Sequence, residues 1–191
     1  MTWTPIVARS FTPTTFRTYV EALSLAAWKP SFTVLHNTGS PTLAQRSEGF
    51  TLQNICDLEH FYRDEQHWSA GPHLFIDDRQ IWAFTPLTHP GVHSPSWNAV
   101  SWGVEMLGDY DKDDFNTGRG ANVKRMAAQA LAVLAEHGGF PIDDAHLRFH
   151  HEDPKTTHKH CPGVTVRKAE VIGLARGAQL MARANVKGTK A

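Results

Sequence analysis

The sequence lacks most of the features that would place it in a specialised class of protein. Its 191 residues include only two cysteines, too few for a fold held together by disulfides. Nineteen basic residues balance nineteen acidic ones, so the chain lacks the basic excess typical of nucleic-acid-binding proteins. No apolar run is long enough to cross a membrane, and residues 1–9 have neither the basic start nor the apolar stretch of a signal peptide. We therefore expect synthesis in the cytoplasm, with no nucleic-acid partner and no membrane insertion.

The residues that are present indicate a globular protein of one domain. Hydrophobic residues make up 41% of the chain and charged residues 20%, and the length suits a single core. Strand-like and helix-like segments alternate, which favours an α/β or α+β arrangement around one sheet. Periodicity predicts helices at 13–25, 52–67, 122–137 and 164–184, and strands at 32–36, 72–76, 80–84, 99–107 and 146–149.

Histidine is unusually frequent, with twelve residues, and the segment 148–163 is the richest in it. Imidazole and thiolate are preferred zinc ligands, and a catalytic zinc site uses three protein ligands. His150 and Cys161 are close enough in sequence to converge at a small entropic cost. The third ligand should come from elsewhere in the fold, and His36, at the end of strand 32–36, is the best placed candidate.

Other interpretations of the same residues remain open at this point. His158 and His160 form another possible pair of ligands. Isolated histidines and cysteines are also common in protein cores, so His150, His151 and Cys161 could be structural. Cys56 lies on the apolar side of helix 52–67, and we expect it in the core.

Three blocks of sequence carry a resemblance to a known family. They are Val34-Leu35-His36-Asn37-Thr38, then the run 98–108 with Asn98, Ser101 and Glu105, and finally His150-His151-Glu152 leading to Lys159-His160-Cys161-Pro162-Gly163. In this order they resemble the N-acetylmuramoyl-L-alanine amidase family of type 2 zinc amidases and peptidoglycan recognition proteins, and the phage endolysins in it most of all. The resemblance implies an α/β fold: a single domain, 1–191, with a central mixed sheet flanked by helices. Its core would span about residues 30–165, with residues 1–29 and the helix 164–184 packed on it.

The resemblance also implies a set of site residues. His36, His150 and Cys161 become the Zn²⁺ ligands, and His151 is the rival for His150. Glu105 resembles the family's catalytic glutamate, and it interrupts an apolar strand where a carboxylate is costly to bury. Lys159 would stabilise the oxyanion of the intermediate.

One departure from the family pattern bears on the mechanism. Phage relatives place a catalytic tyrosine at the position that Pro72 occupies in this sequence. The departure favours a site built on Glu105 and Lys159.

Substrate contacts are predicted from the loop 85–98 and its surroundings. His93 resembles a family histidine near the cleft, and Trp68 and Trp97 would supply flat apolar walls, although both could be ordinary core or rim aromatics. Asn98 and Ser101 are expected to fix the loop by hydrogen bonds from their side chains to the backbone.

The function implied is zinc-dependent hydrolysis of the amide between N-acetylmuramic acid and L-alanine in peptidoglycan. The expected setting is that of a phage or prophage endolysin, a monomer that reaches the cell wall after release. The alternatives are a cytoplasmic amidase that recycles muropeptides and a non-catalytic module that binds peptidoglycan. The sequence has no His-Glu-x-x-His motif, so the common metalloprotease interpretation is excluded.

Overall fold

The computed structural model describes residues 2–188, with side chains as far as residue 184. The strands are β1 (Arg9–Phe11), β2 (Phe32–Asn37), β3 (Leu74–Ile76), β4 (Ile81–Ala83), β5 (Ser101–Met106) and β6 (Leu147–Phe149). The helices are α1 (Pro13–Glu21), α2 (Leu52–His60), α3 (Gly118–Gly138) and α4 (Lys168–Gly188). A π-helical turn, Phe61–Glu65, continues α2, and a 3-10 turn, His150–Glu152, follows β6. No helix within residues 2–188 is long and apolar enough to span a membrane.

The strands form one mixed sheet in the order β1-β4-β3-β5-β2-β6. Strands β3, β5, β2 and β6 run parallel, whereas β4 is antiparallel to its neighbours β1 and β3. The hairpin β3–β4 confirms the tight polar turn predicted between two short strands. A mixed sheet flanked by helices is the fold class that the resemblance implies.

Helix α3 forms the centre of the core. It contacts β2, β3, β4 and β5, and both α1 and α4 pack against it. Its buried side chains are chiefly alanine, leucine and valine, which let the helix approach the sheet closely. Under it, Trp102 of β5 is fully buried and donates its indole N–H to the carbonyl of Leu87, so the polar end of this large side chain is satisfied.

The helix boundaries differ from the prediction in ways that follow from local chemistry. Helix α3 begins at Gly118, before the predicted residue 122, and it ends as predicted at a left-handed glycine, Gly139, with φ of 72°. Helix α1 ends at Glu21 and α4 begins only at Lys168. The predicted helix 52–67 is regular only to His60, because the chain then widens into the π-helical turn.

The prediction that Cys56 lies in the core is wrong. Its side chain is exposed, and Ile55 is the buried residue of α2. Successive residues of a helix point about 100° apart. Since α2 buries so narrow a stripe, the neighbour of Ile55 faces solvent.

Candidate active site

The register of the sheet brings the chemically important residues into one row. Glu105 of β5 pairs with Phe75 of β3 on one side and with His36 of β2 on the other. Leu35 pairs with Phe149, the last residue of β6, so His150 emerges beside His36. All four strands are parallel, and their carboxyl ends meet at one edge of the sheet, where α/β proteins usually bind ligands.

His36, His150 and Cys161 converge at this edge. Each offers one ligand atom, and these atoms lie within 4.8 Å of one another. Nδ1 of His36 is 3.9 Å from the Cys161 sulfur and 3.8 Å from Oε1 of Glu105. The geometry selects His150 over its neighbour, because His151 is exposed and its ring contacts the Cys161 carbonyl instead.

The second nitrogen of each clustered histidine is already engaged. Nε2 of His36 lies 3.1 Å from Nδ1 of His93, and Nε2 of His150 lies 2.9 Å from the Thr156 hydroxyl. Burial and neighbouring histidines hold the pKa of His36 well below its usual value, and burial lowers that of His150 to about 4. Both rings are therefore neutral at pH 7, which is the form that binds a metal.

The donor set fits zinc. Two neutral imidazoles and a thiol sulfur, with ligand atoms within 4.8 Å of one another, are a ligand combination that catalytic zinc sites use. Burial, and then the nearby Glu105, raise the pKa of the Cys161 thiol, so the sulfur needs a cation beside it to become a thiolate.

Glu105 carries a partly buried carboxyl group. Its side chain is 13% exposed, and it makes no hydrogen bond to another residue in the described part of the chain. Burial raises the pKa of Glu105 to about 8. A carboxyl group with a raised pKa at the edge of a cleft is suited to accept and return a proton near neutral pH.

Lys159 lines the same cleft. Its ammonium donates to the Thr156 carbonyl at 2.9 Å, and the Thr156 hydroxyl contacts His150. Thr156 therefore connects the predicted oxyanion-stabilising lysine with a ligand of the cluster. An ammonium has three N–H donors, so two remain for another partner.

The site opens into a cleft of about 650 Å³. One wall is apolar and is formed by Leu58, Phe61, Tyr62 and Trp68, with Phe75 behind it. Tyr62 stacks on Trp68 with ring centroids 5.0 Å apart. Trp68 thus lies where the sequence placed it. The helical pattern over residues 52–67 did not indicate that Leu58, Phe61 and Tyr62 would form this wall.

Of the two other predicted substrate contacts, His93 lines the cleft and Trp97 does not. Trp97 does not line this cleft: it meets Phe32 edge-on, and the Arg148 guanidinium lies 5.0 Å from its ring centre. Phe32 begins β2, whereas His36 lies near the end of that strand, so Trp97 is toward the opposite edge of the sheet. His93 reaches the cleft, but it sits behind His36 and is only 6% exposed.

The loop that carries His93 is fixed as predicted. Oδ1 of Asn98 accepts the backbone N–H groups of His93 and Ser94 at 2.8 and 2.7 Å. The Ser101 hydroxyl donates to the Trp97 carbonyl at 2.7 Å. These bonds close the loop onto the start of β5.

Fold and site together define a class of protein: an α/β fold with a two-histidine, one-cysteine cluster and a partly buried glutamate at the open edge of its parallel strands. Zinc hydrolases use such a set of metal ligands and such an acid–base group. The family model described as N-acetylmuramoyl-L-alanine amidase (Amidase_2) matches residues 27–164, most of the chain. The chain belongs to this family.

Solved structures agree on the fold. The endolysin N-acetylmuramoyl-L-alanine amidase LysCS from Clostridium intestinale superposes with a TM-score of 0.59 at 19% identity, covering 91% of this chain and 90% of that one. Drosophila PGRP-LB superposes with a TM-score of 0.56 at 20% identity, covering 75% of this chain and 80% of that one. A mutant endolysin from Bacillus subtilis superposes with a TM-score of 0.55 at 18% identity, covering 77% of this chain and 86% of that one. No curated protein matches by sequence.

Proposed function

We propose that the protein hydrolyses the amide bond between N-acetylmuramic acid and L-alanine in peptidoglycan, with Zn²⁺ held by His36, His150 and Cys161. The observation that carries this proposal is the convergence of those three residues beside Glu105, in a chain that belongs to an amidase family. When bound, zinc supplies Lewis acidity that polarises a carbonyl group and makes a water molecule more acidic.

Glu105 is the proton-transfer group of this proposal. It adjoins His36 at the edge of the cleft and has no competing hydrogen bond to the side chains described, residues 2–184, so its carboxyl group can act on water. It takes the proton from the attacking water and returns it to the leaving nitrogen of L-alanine.

Lys159 is proposed to stabilise the negative charge that develops on the carbonyl oxygen. Its ammonium is anchored by the Thr156 carbonyl, on the segment that also leads to Cys161. An anchored cation has less freedom to lose when the transition state forms, which is the basis of preorganised electrostatic stabilisation.

The apolar wall of the cleft is proposed to bind the lactyl group or the sugar, with Trp68 as the main contact. Sugars and short apolar groups pack well on flat aromatic rings. Drosophila PGRP-LB, which shares the fold, has been solved in complex with tracheal cytotoxin. Because several of the structural relatives are endolysins, we further propose an endolysin role, with the protein acting on the cell wall as a monomer.

The test is digestion of purified sacculi, followed by mass spectrometry of the products. We expect intact stem peptides with a new L-alanine amino terminus and uncut glycan strands, and no release after treatment with a chelator. Restoring Zn²⁺ should restore release, and a Glu105→Gln variant loaded with zinc should release peptides at least about 100-fold more slowly.

Other outcomes of this digestion would contradict parts of the proposal. Sugars or internal peptide fragments would overturn the reaction assigned here. Binding to sacculi without any release would indicate a recognition module. Activity on soluble muropeptides but not on sacculi would replace the endolysin role with recycling.

A further inference from the structure

His93 lies in a buried row of histidine rings behind the metal-binding cluster. Its Nδ1 is 3.1 Å from Nε2 of His36, and its Nε2 is 3.4 Å from the carbonyl oxygen of Ser101. His93 is buried, so no water competes for these nitrogens. A neutral imidazole has one nitrogen that carries a hydrogen and one that does not.

The Ser101 carbonyl decides which nitrogen carries the hydrogen. A carbonyl oxygen only accepts hydrogen bonds, so Nε2 of His93 must be the N–H that faces it. Nδ1 of His93 is then an acceptor, and Nε2–H of His36 must donate to it. The hydrogen of His36 is thereby held on Nε2, and the lone pair of Nδ1 faces Cys161 and Glu105. The opposite arrangement would place two lone pairs against each other in a buried space and put a hydrogen on the nitrogen that the metal needs.

The surroundings of His93 are built to hold its ring in this place. A Cβ on Gly103 would overlap the ring, so only glycine fits beneath it. Asn98 fixes the backbone of His93, as described above. Behind it, His73 presents its ring to His93 at 70° and is itself fixed: it accepts from Gly103 N–H and donates to the His89 carbonyl, both at 2.9 Å.

We propose that His93 is a positioning residue that fixes the tautomer and orientation of His36, so that Nδ1 of His36 is presented to zinc without rearrangement. It replaces the substrate contact predicted from the sequence. The inference rests on the proposed zinc site, but not on the identity of the substrate. Partners that hold the second nitrogen of a ligating histidine commonly change metal affinity by about 10–100-fold.

The direct test is the tautomer of His36 in the metal-free protein. Long-range ¹H–¹⁵N correlation spectra distinguish protonated from unprotonated ring nitrogens, and they need no activity. We expect His36 and His93 both to carry hydrogen on Nε2. A His36 ring with hydrogen on Nδ1 would overturn the proposal even if the protein proves to be an active amidase.

Zinc affinity provides a second test through matched variants. His93→Phe keeps a flat ring but cannot accept a hydrogen bond, and we expect zinc to bind about 10–100-fold more weakly in competition with a chelator. His93→Gln can accept from His36 and donate to Ser101, so it should recover most of the affinity. The control is His89→Phe, because His89 is exposed on the same loop and its side chain does not contact His36.

Further measurements distinguish a loss of His36 positioning from a loss of folding or of amidase activity. The melting temperature of each metal-free variant shows whether it folds, and Gly103→Ala offers a further route, since it displaces the His93 ring without removing it. Zinc affinity of folded His93→Phe within twofold of the unmodified protein would overturn the proposal. Inactivity toward peptidoglycan with normal zinc affinity and tautomers would instead overturn only the proposed function.

Discussion

Two carboxyl groups in this protein have opposite environments. Asp153 accepts hydrogen bonds from the Ser94 hydroxyl at 2.6 Å, the Ser96 N–H at 2.9 Å and the Lys155 N–H at 2.8 Å. Burial alone would raise its pKa, but these bonds outweigh burial and lower the pKa to about 2. Glu105 has no such donors, and burial raises its pKa to about 8.

The comparison separates a carboxyl group that holds the structure together, Asp153, from one that is available for chemistry, Glu105. Asp153 connects the loop that carries His93 to the segment between His150 and Cys161, and each of its hydrogen bonds contributes to holding the two together. Glu105 contributes no such connection, and the protein bears the cost of its burial at the place where water and substrate would meet. A buried carboxyl group without donors is therefore the better candidate for catalysis.

The largest expected effect is on the activity of a Glu105→Gln variant. Loss of a general base typically lowers kcat by about 10²–10⁴-fold. Zinc content should be unchanged, and the melting temperature should not fall, because the carboxyl group makes no hydrogen bond that the amide would lose. Kinetics on sacculi, metal analysis and thermal unfolding check these outcomes. A marked loss of zinc or of stability would place Glu105 with Asp153 as a structural carboxylate.

Asp153→Asn should lower stability while leaving activity largely intact, the reverse of Glu105→Gln. An amide NH₂ would face donors that now point at a carboxylate, so we expect a loss of about 1–3 kcal/mol in the free energy of unfolding. In the fraction that remains folded, kcat should fall far less than in Glu105→Gln. Denaturant unfolding measures the difference, with Asp144→Asn as control, since the side chain of Asp144 is 86% exposed. Unchanged stability would contradict the structural role.

The pH dependence of stability sharpens the same comparison. The pKa of Asp153 falls from 3.8 in its ordinary environment to about 2 in the folded protein. Its contribution is therefore complete above about pH 4 and is lost as the pH falls toward 2. The difference in unfolding free energy between the unmodified protein and Asp153→Asn should shrink over that interval. A difference that stays constant down to pH 2 would show that the aspartate is not held as described.

The smallest expected effect concerns a third polar group, the hydroxyl of Tyr62. Its ring is packed against Trp68 and Phe84, yet its hydroxyl makes no hydrogen bond within residues 2–188. Glu105 suggests that a polar group in the cleft without a partner in the protein serves function. If the same holds for Tyr62, its hydroxyl binds substrate. Tyr62→Phe should raise KM severalfold, on the order of one lost hydrogen bond, without lowering stability. Trp97→Ala, outside the cleft, should leave KM unchanged, and equal effects of the two changes would contradict the assignment of the wall.

Much of the site was predictable because its residues lie at or near the ends of strands. His36 ends an apolar β-branched run, and Glu105 interrupts another, so the sequence indicates both the strands and the side chains that stand out from them. Periodicity could not distinguish a helix that faces the core from one that faces a cleft. Cys56 was therefore misplaced in the core, and the position of Leu58, Phe61 and Tyr62 in the cleft wall was not foreseen. Trp97 was misplaced because proximity to Asn98 along the chain does not show at which edge of the sheet a loop ends.

The sequence by itself determined the family, the alternation of strands and helices and the residue types able to hold zinc, because these depend on local pattern and side-chain chemistry. It left open whether His150 or His151 joins the cluster and which nitrogen of His36 is free. Those answers depend on the register of β2 against β5 and β6, and on the carbonyl of Ser101 that faces His93. Such contacts join residues far apart in the chain, so only the tertiary structure could decide them.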